Sequence, residues 1–393
     1  MVVLGALVAL GPLTIDLYLP ALRSIRASLG TSALGVQMTI TGTMVGMAAG
    51  NLLIGPLSDR AGRRWPLLAG LVLHVVASLL CTVTPDVTVL ATLRLLQGLA
   101  VAAAGVIASA VLQDLYGGAA FARLISRMLV IPTAAPILAP TLGGALLRWT
   151  RWPGIFVVLA VLSATLVVVV AAGLPETLRR RPAARAGGFR TLGRDRDFVR
   201  LVLVAGTAMG ALMAYVSGSS FVLQDEYGLS AQQFGLVFGA GAIGLVAATQ
   251  LNVLLLRRYP PRRILGAAMV TGAVAGLVLA GVARTGAGGL PVLLVPLWVV
   301  IATVGLAFPN VPALALARHG EHAGTASALL GAAQFGIGGL AAPAVGLLGG
   351  GRVAMAVVVA GAMLAAAGLS MASPAPAVVA PGEAVLEGAG RAA

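Results

Sequence analysis

The chain has 393 residues, 59% of them apolar and only 10% charged, with a mean hydropathy of +1.01. A soluble domain carries about 25% charged residues, so too few polar side chains remain to coat a water-facing globule, and a disordered chain needs the opposite composition. The formal charge of +14 comes from 26 arginines and no lysine, set in short breaks between apolar runs. That pattern excludes the clustered basic face of a nucleic-acid binder and matches loop arginines beside a lipid bilayer.

A membrane crossing needs about 20 apolar residues. Twelve such runs follow one another, at 1–21, 34–57, 65–84, 88–113, 124–147, 153–174, 198–222, 231–256, 262–283, 290–316, 322–349 and 352–372. The expected fold class is an all-α membrane protein of twelve transmembrane helices. The first run is apolar from Met1 and has no charged leader, so it reads as a span and not as a cleaved signal. Nineteen arginines lie in loops after even-numbered spans or in the tail, six in the opposite loops, and Arg94 within a span. The bias puts both termini in the cytoplasm of a multi-pass plasma-membrane protein. The polar stretch 176–197 reads as a cytoplasmic linker between two six-helix halves, 1–175 and 198–372, a recurrent transporter plan. Residues 373–393 are rich in Pro, Ala and Gly and are expected to be a disordered cytoplasmic tail. Cys81 stands alone and forms no intrachain disulfide.

Taken along the chain, Asp16 in LGPLTIDLYLPAL is the sharpest feature. An acid at a helix centre costs roughly 2.5–3.5 kcal/mol to insert and usually faces a cavity or a partner. It reads either as a group that binds and releases protons or as a carboxylate solvated at the membrane interface. The second span closes on Gly55-Pro56-Leu57-Ser58-Asp59-Arg60-Ala61-Gly62-Arg63-Arg64. There Asp59 is expected to accept hydrogen bonds from the N-terminus of a facing helix. A basic turn recurs after the eighth span, at Arg257, Arg258, Arg262 and Arg263, without the acid. His74, in an apolar run, reads more readily as a bonded core residue than as a proton carrier; His319 and His322 flank a loop.

In the fourth span Arg94, Gln97 and Gly98 share one helix face. At 1.5 Å per residue Arg94 lies about 10 Å and Asp16 about 8 Å from the outer ends of their spans. The matched depth suggests that Arg94 pairs with Asp16; the other reading is a structural arginine bonding backbone carbonyls. In the fifth span Ala135, Ala139 and Gly143 repeat every four residues beside Pro136, Pro140 and Gly144. Small residues at this period let helices touch. Tyr18, Tyr215, Phe221, Phe308 and Asn310 are candidate cavity-wall residues. No phosphate loop, metal-spaced cluster or paired acids on one helix suggests an enzyme or a bound cofactor.

The spacing G-x-x-x-D-R-x-G-R-R resembles the signature of the major facilitator superfamily, and R-x-x-Q-G in the fourth span resembles the motif of its proton-coupled drug exporters. IDLYLPAL, APILAPTLGG, YVSGSSFVLQDEYGLS and AGTASALLGAAQFGIGGLAAP resemble the Bcr/CflA subfamily of multidrug efflux proteins. The resemblance implies a twelve-helix bundle around a central cavity, exporting amphipathic drug-like compounds against protons as the coupling ion. On this view Asp16 is the protonation and cation-binding site, and Arg94 with Gln97 serves proton coupling. Gly55, Asp59, Arg60, Gly62, Arg63 and Arg64 form a cytoplasmic gate with Asp114 as carboxylate partner. The stripe on the fifth span would meet the eleventh, which offers Ala328, Ala332 and Gly336. The expected partners are a small molecule and the bilayer, with no nucleic acid, and the chain is expected to be a monomer. A narrow exporter of one metabolite or self-made antibiotic is the alternative. The chain departs from the pattern at Pro153, Ser220 and Gly241, where the family commonly has Arg, Pro and Asn. It also lacks the family's short basic leader, which implies a start upstream.

Overall fold

The computed structural model describes residues 2–116, 124, 128, 130–178, 188–317 and 319–372. All regular structure among them is helical. The spanning helices are α1 (Val2–Asp16), α2 (Ala33–Ala61), α3 (Arg64–Cys81), α4 (Val87–Leu115), α5 (Val130–Leu146), α6 (Pro153–Gly173), α7 (Arg196–Phe221), α8 (Ala231–Leu255), α9 (Pro261–Thr285), α10 (Gly289–Leu316), α11 (Ala323–Leu347) and α12 (Arg352–Met371). Eleven are long and apolar enough to cross a bilayer, counting the extension of α1 to Ser28, and α5 is the shorter twelfth. In lipid every backbone polar group must be satisfied within the chain, which is why the apolar runs become helices. Four of their starts carry side-chain caps among the described residues. Ser32 accepts from Gly35 N–H (3.1 Å), Asp86 from Thr88 N–H (2.7 Å), and Ser230 forms a capping box with Gln233.

Helices α1–α6 pack as one half and α7–α12 as the other. The half-to-half seams run along α2–α11 and α5–α8. Because the spans number twelve, both described ends and the linker lie on one face, called here the linker face; the other is the far face. Close helix contact depends on missing side chains. Gly42 of α2 faces the Ala91 carbonyl of α4, where a Cβ would come within 2.5 Å; Gly46 faces the Leu95 carbonyl in the same way. At α5–α8, a Cβ on Gly235 would lie 2.5 Å from the Pro140 carbonyl, and one on Gly144 would lie 2.5 Å from that of Ala231.

The small-residue stripe of α5 therefore has different partners from those expected. Ala135 and Ala139 are buried, Pro140 and Gly144 meet α8, and Gly143 meets the Leu17 carbonyl of α1. The eleventh helix packs instead on α2, where Gly336 faces Ala48 and Gly339 faces Met44. In both halves such a helix plays the same part: α5 and α11 each supply a smooth face to the helix of the other half beside it.

Two further details differ from the expectation. The first span is not one continuous helix: α1 ends at Asp16, a 3-10 turn covers Leu19–Ala21, and a short helix runs over Leu22–Ser28. Pro20 has no N–H and cannot continue the ladder. The linker assigned to 176–197 contains a helix at Gly188–Arg194, and α7 begins within it at Arg196. The tail 373–393 lies outside the described residues.

Candidate functional site

The break in α1 organises the centre of the molecule. The last helix-type backbone bond runs from Leu17 N–H to the Leu13 carbonyl (3.2 Å). The next carbonyl in line, that of Thr14, accepts instead from Arg94 Nη1 (3.0 Å). Arg94 is fully buried, with Cζ 4.5 Å from the Tyr18 ring centroid and 5.9 Å from that of Phe156. A cation at a helix C-terminus and over aromatic faces is doubly favoured. Its Nη1 also donates to Gln97 Oε1 (2.9 Å), whose Nε2 donates to Ser78 Oγ (2.7 Å). His74 completes the network: its Nε2 bonds the Thr14 hydroxyl (3.0 Å) and its Nδ1 the Ser163 hydroxyl (2.7 Å). Thus α3, α4 and α6 all hold the strand of backbone two residues before Asp16.

Asp16 is 7% exposed and takes part in no ion pair or hydrogen bond among the described residues. The structure does not bring Arg94 to it. Matching the two depths ignored azimuth: Arg94 points into the first half, against Thr14 and Tyr18, and not toward the seam. Tyr215 stacks on Phe238 at 4.8 Å and 11°, and its hydroxyl has no hydrogen-bond partner among the described residues.

The remaining candidate cavity residues go elsewhere. Tyr18 is fully buried inside the first half and bonds Thr39 Oγ1 (2.7 Å). Asn310 binds Asn252 Oδ1 (2.6 Å) and ties α10 to α8. Phe308 packs against the core. Phe221 lies under Arg26 at the far face, 5.3 Å from its Cζ.

That far face is sealed between the halves. Arg23 and Arg26 both pair with Asp225, at 3.0 and 2.9 Å. Ser220 Oγ donates to the Leu19 carbonyl (2.9 Å), and Gln224 Nε2 donates to Ser220 Oγ (2.8 Å). The three departures from the family pattern acquire local reasons here. Ser220 bonds across the seam. Pro153 opens α6 at a position where a missing N–H costs nothing. At Gly241, a Cβ would fall 2.9 Å from Trp298 Nε1 and 3.3 Å from the Tyr215 hydroxyl.

On the linker face Arg63 is the hub. Its Nη1 lies 2.6 Å from Asp59 Oδ1 and donates to Ser58 Oγ (2.7 Å), and its Nε lies 3.0 Å from Asp114 Oδ2. Burial opposes the charge, but the hydrogen bonds and charges of Asp114 and Asp59 outweigh it and hold the guanidinium above its ordinary value. Asp59 does not sit at the N-terminus of a facing helix; that role belongs to Glu176, which sequence reasoning left in the linker. Its carboxylate accepts from the N–H groups of Arg63 (2.9 Å) and Arg64 (3.1 Å) at the start of α3, and from Leu178 N–H (2.9 Å) two residues along its own chain. Burial raises the Glu176 carboxyl, and the backbone N–H groups of Arg63, Leu178, Arg64 and Thr177 together more than reverse it, leaving it below its ordinary value. Gly62, at φ +90°, makes room: a Cβ there would lie 2.5 Å from Glu176 Oε2. Arg64 Nη2 donates to the Ala171 carbonyl (2.6 Å). Arg60 is exposed, and a Cβ on Gly55 would meet nothing within 4 Å.

Twelve apolar helices in two halves, the first helix broken at a buried acid, have the architecture of a membrane transporter. Residues 4–343 match the Major Facilitator Superfamily, and the chain belongs to that family. It is similar to the uncharacterized MFS-type transporter YdgK of Bacillus subtilis (strain 168), 36% identical over 88% of this chain and 87% of that one. It is also similar to a chloramphenicol resistance protein of Pseudomonas aeruginosa (30%, covering 86% and 80%). A bicyclomycin resistance protein homolog of Haemophilus influenzae is 28% identical, covering 86% of each, in line with the Bcr/CflA drug-resistance group. Among solved structures, a mutant of the nucleoside transporter NupG superposes with a TM-score of 0.75 at 14% identity, covering 94% of this chain and 98% of that one. The D-xylose-proton symporter superposes with a TM-score of 0.73 at 16% identity, covering 93% and 96%.

Proposed function

We propose that this transporter exports small amphipathic compounds in exchange for protons, with the linker face in the cytoplasm. The observation that carries the reading is Asp16: a buried carboxylate, at the break of α1, with no cation or donor among the described residues to neutralise it. A charged acid in that setting is expensive, so it holds either a proton or a cationic ligand. Mutual exclusion of the two is antiport. The drug-resistance names of the relatives support efflux as the direction of transport, and the arginine bias supports the orientation. Arg94 acts here as a positioning residue, holding the backbone beside Asp16.

The test is proton release on adding tetraphenylphosphonium to purified protein reconstituted in liposomes. Asp16→Asn should express normally and lose that release. Release at the wild-type level in Asp16→Asn overturns the assignment.

A further inference from the structure

Six arginines lie on the far face, against the general bias toward the linker face, and they are not spread evenly. Four of them, Arg23, Arg26, Arg148 and Arg151, follow the first and fifth spans. The two segments that carry them meet at a cleft of about 690 Å³ on the far face. Arg23 and Ser24 line it from the end of the first span, Thr150 and Arg151 from the turn after α5, and Gln224 and Ala231 from the second half. Most of its wall is exposed side chain, so the space is open to a ligand.

The local charge does not balance. Arg23 and Arg26 share one acid, Asp225. Arg148 and Arg151 have no acidic partner among the described residues. Arg23 uses Nε on Asp225 (3.0 Å) and Nη1 on the Gln224 carbonyl (3.3 Å), which leaves Nη2 without a partner among the described residues. Arg151 keeps its whole guanidinium for a ligand. No carboxylate lines the cleft. The ligand that fits is an anion, and two guanidinium groups suit the oxygens of a phosphate.

The setting names the source of that phosphate. Gly143 and Gly144 of α5 pack on α1 and α8. At about 100° per residue, Leu138 and Leu142 lie on the opposite side of the helix. Both are exposed, so that side faces acyl chains. Just beyond the end of α5 stands Trp149, 87% exposed, in the same turn that gives Thr150 and Arg151 to the cleft. An exposed tryptophan at the end of a span marks the level of the lipid headgroups. We propose that the cleft holds the phosphodiester of an anionic phospholipid between Arg23 and Arg151, with its acyl chains along Leu138 and Leu142. The site goes beyond the export reading and depends on neither Asp16 nor the direction of transport.

Native mass spectrometry of the purified protein in detergent counts bound lipid. Phosphatidylglycerol is titrated against wild type, Arg151→Gln and Arg284→Gln; Arg284 is an exposed far-face arginine outside the cleft. Wild type should bind phosphatidylglycerol more tightly than phosphatidylcholine, whose headgroup has no net charge. Arg151→Gln should weaken the tightest phosphatidylglycerol site about tenfold, as expected for one lost charge-assisted bond to phosphate, and Arg284→Gln should leave it unchanged. Arg151 is exposed, so its replacement should not disturb the fold. Glycerophosphoglycerol, the same headgroup without acyl chains, should bind far more weakly than the lipid. Equal affinity for the two lipids overturns the anion site. No loss in Arg151→Gln, or the same loss in both variants, overturns the cleft as its location. Glycerophosphoglycerol that binds as tightly as phosphatidylglycerol overturns a lipid as the occupant.

Discussion

Gln37 of α2 should act as a spring against closure of the far face. It is fully buried on the α2–α11 seam, and neither its Nε2 nor its Oε1 has a partner. The contact is tight: a Cβ on Gly346 of α11 would collide with Oε1 and lie 2.9 Å from Leu34 Cα. One turn deeper, Thr41 Oγ1 donates to the Gly339 carbonyl across the same seam (3.0 Å). When the halves part at the far face, this stretch of α2 leaves α11 and the carboxamide gains water. An unmet buried polar group costs about 1–3 kcal/mol, so the closed form carries a penalty that the open form lacks. Gln37→Leu keeps the volume and removes the penalty. At about 2 kcal/mol the closed-to-open ratio should rise about 30-fold, since each 1.4 kcal/mol is a factor of ten. Electron–electron resonance distances between labels at Trp149→Cys and Leu348→Cys read the ratio; these sites are 87% and 59% exposed, and Cys81 is buried. Transport should slow in parallel, because release requires opening. An unchanged distance distribution, or a shift toward the open form, refutes the reasoning.

The opposite change is expected from Asp225→Asn, which releases Arg23 and Arg26 together. These pairs are partly exposed and worth about 0.2–1 kcal/mol each, so the same labels should report a few-fold rise in the open form, and no rise contradicts the lock. Glu176→Gln should weaken the cap on α3 by about 1 kcal/mol, read as a lower thermal midpoint at neutral pH. Because the Glu176 carboxyl titrates below its ordinary value of 4.5, its contribution is fully present above that value and is lost as pH falls through the lower folded value. The gap between wild type and variant should therefore close only in acid, and a gap constant with pH contradicts the cap.

The spans were legible because lipid leaves the chain one choice: apolar runs of sufficient length become helices, and eleven of the starts given by those runs fall within a few residues of the observed ones. The fifth is described from Val130, with Leu124 and Met128 also helical, so its start lies among residues outside the described ones. Partner choice was less legible. A stripe such as Ala135, Ala139 and Gly143 announces that a backbone will approach, but not which one. The answer needs the rotation of each half, and here it directs α5 to α8 and α11 to α2. Glu176 escaped notice for a related reason. A carboxylate just before a run of arginines reads as part of a polar linker, and its task, capping a helix more than a hundred residues earlier, is visible only in space.

Arg94 and Asp16 show why depth alone is a poor guide to pairing inside a membrane. Both are buried and lie at similar levels, and an ion pair would relieve both. Had they paired, the acid would be neutralised by the protein itself and would have little cause to take a proton or a ligand. The chain instead satisfies the cation with a backbone carbonyl, a glutamine and two aromatic faces, none of which titrates near neutral pH. That leaves the carboxylate as the unbalanced group at the seam, and it does so by using the break in α1 twice. The break frees the Thr14 carbonyl that holds Arg94 on one side, and it ends the helix at Asp16 on the other. Separation of the two charges is thus what keeps the site unsatisfied, and an unsatisfied acid is what an exchange of proton for cargo requires.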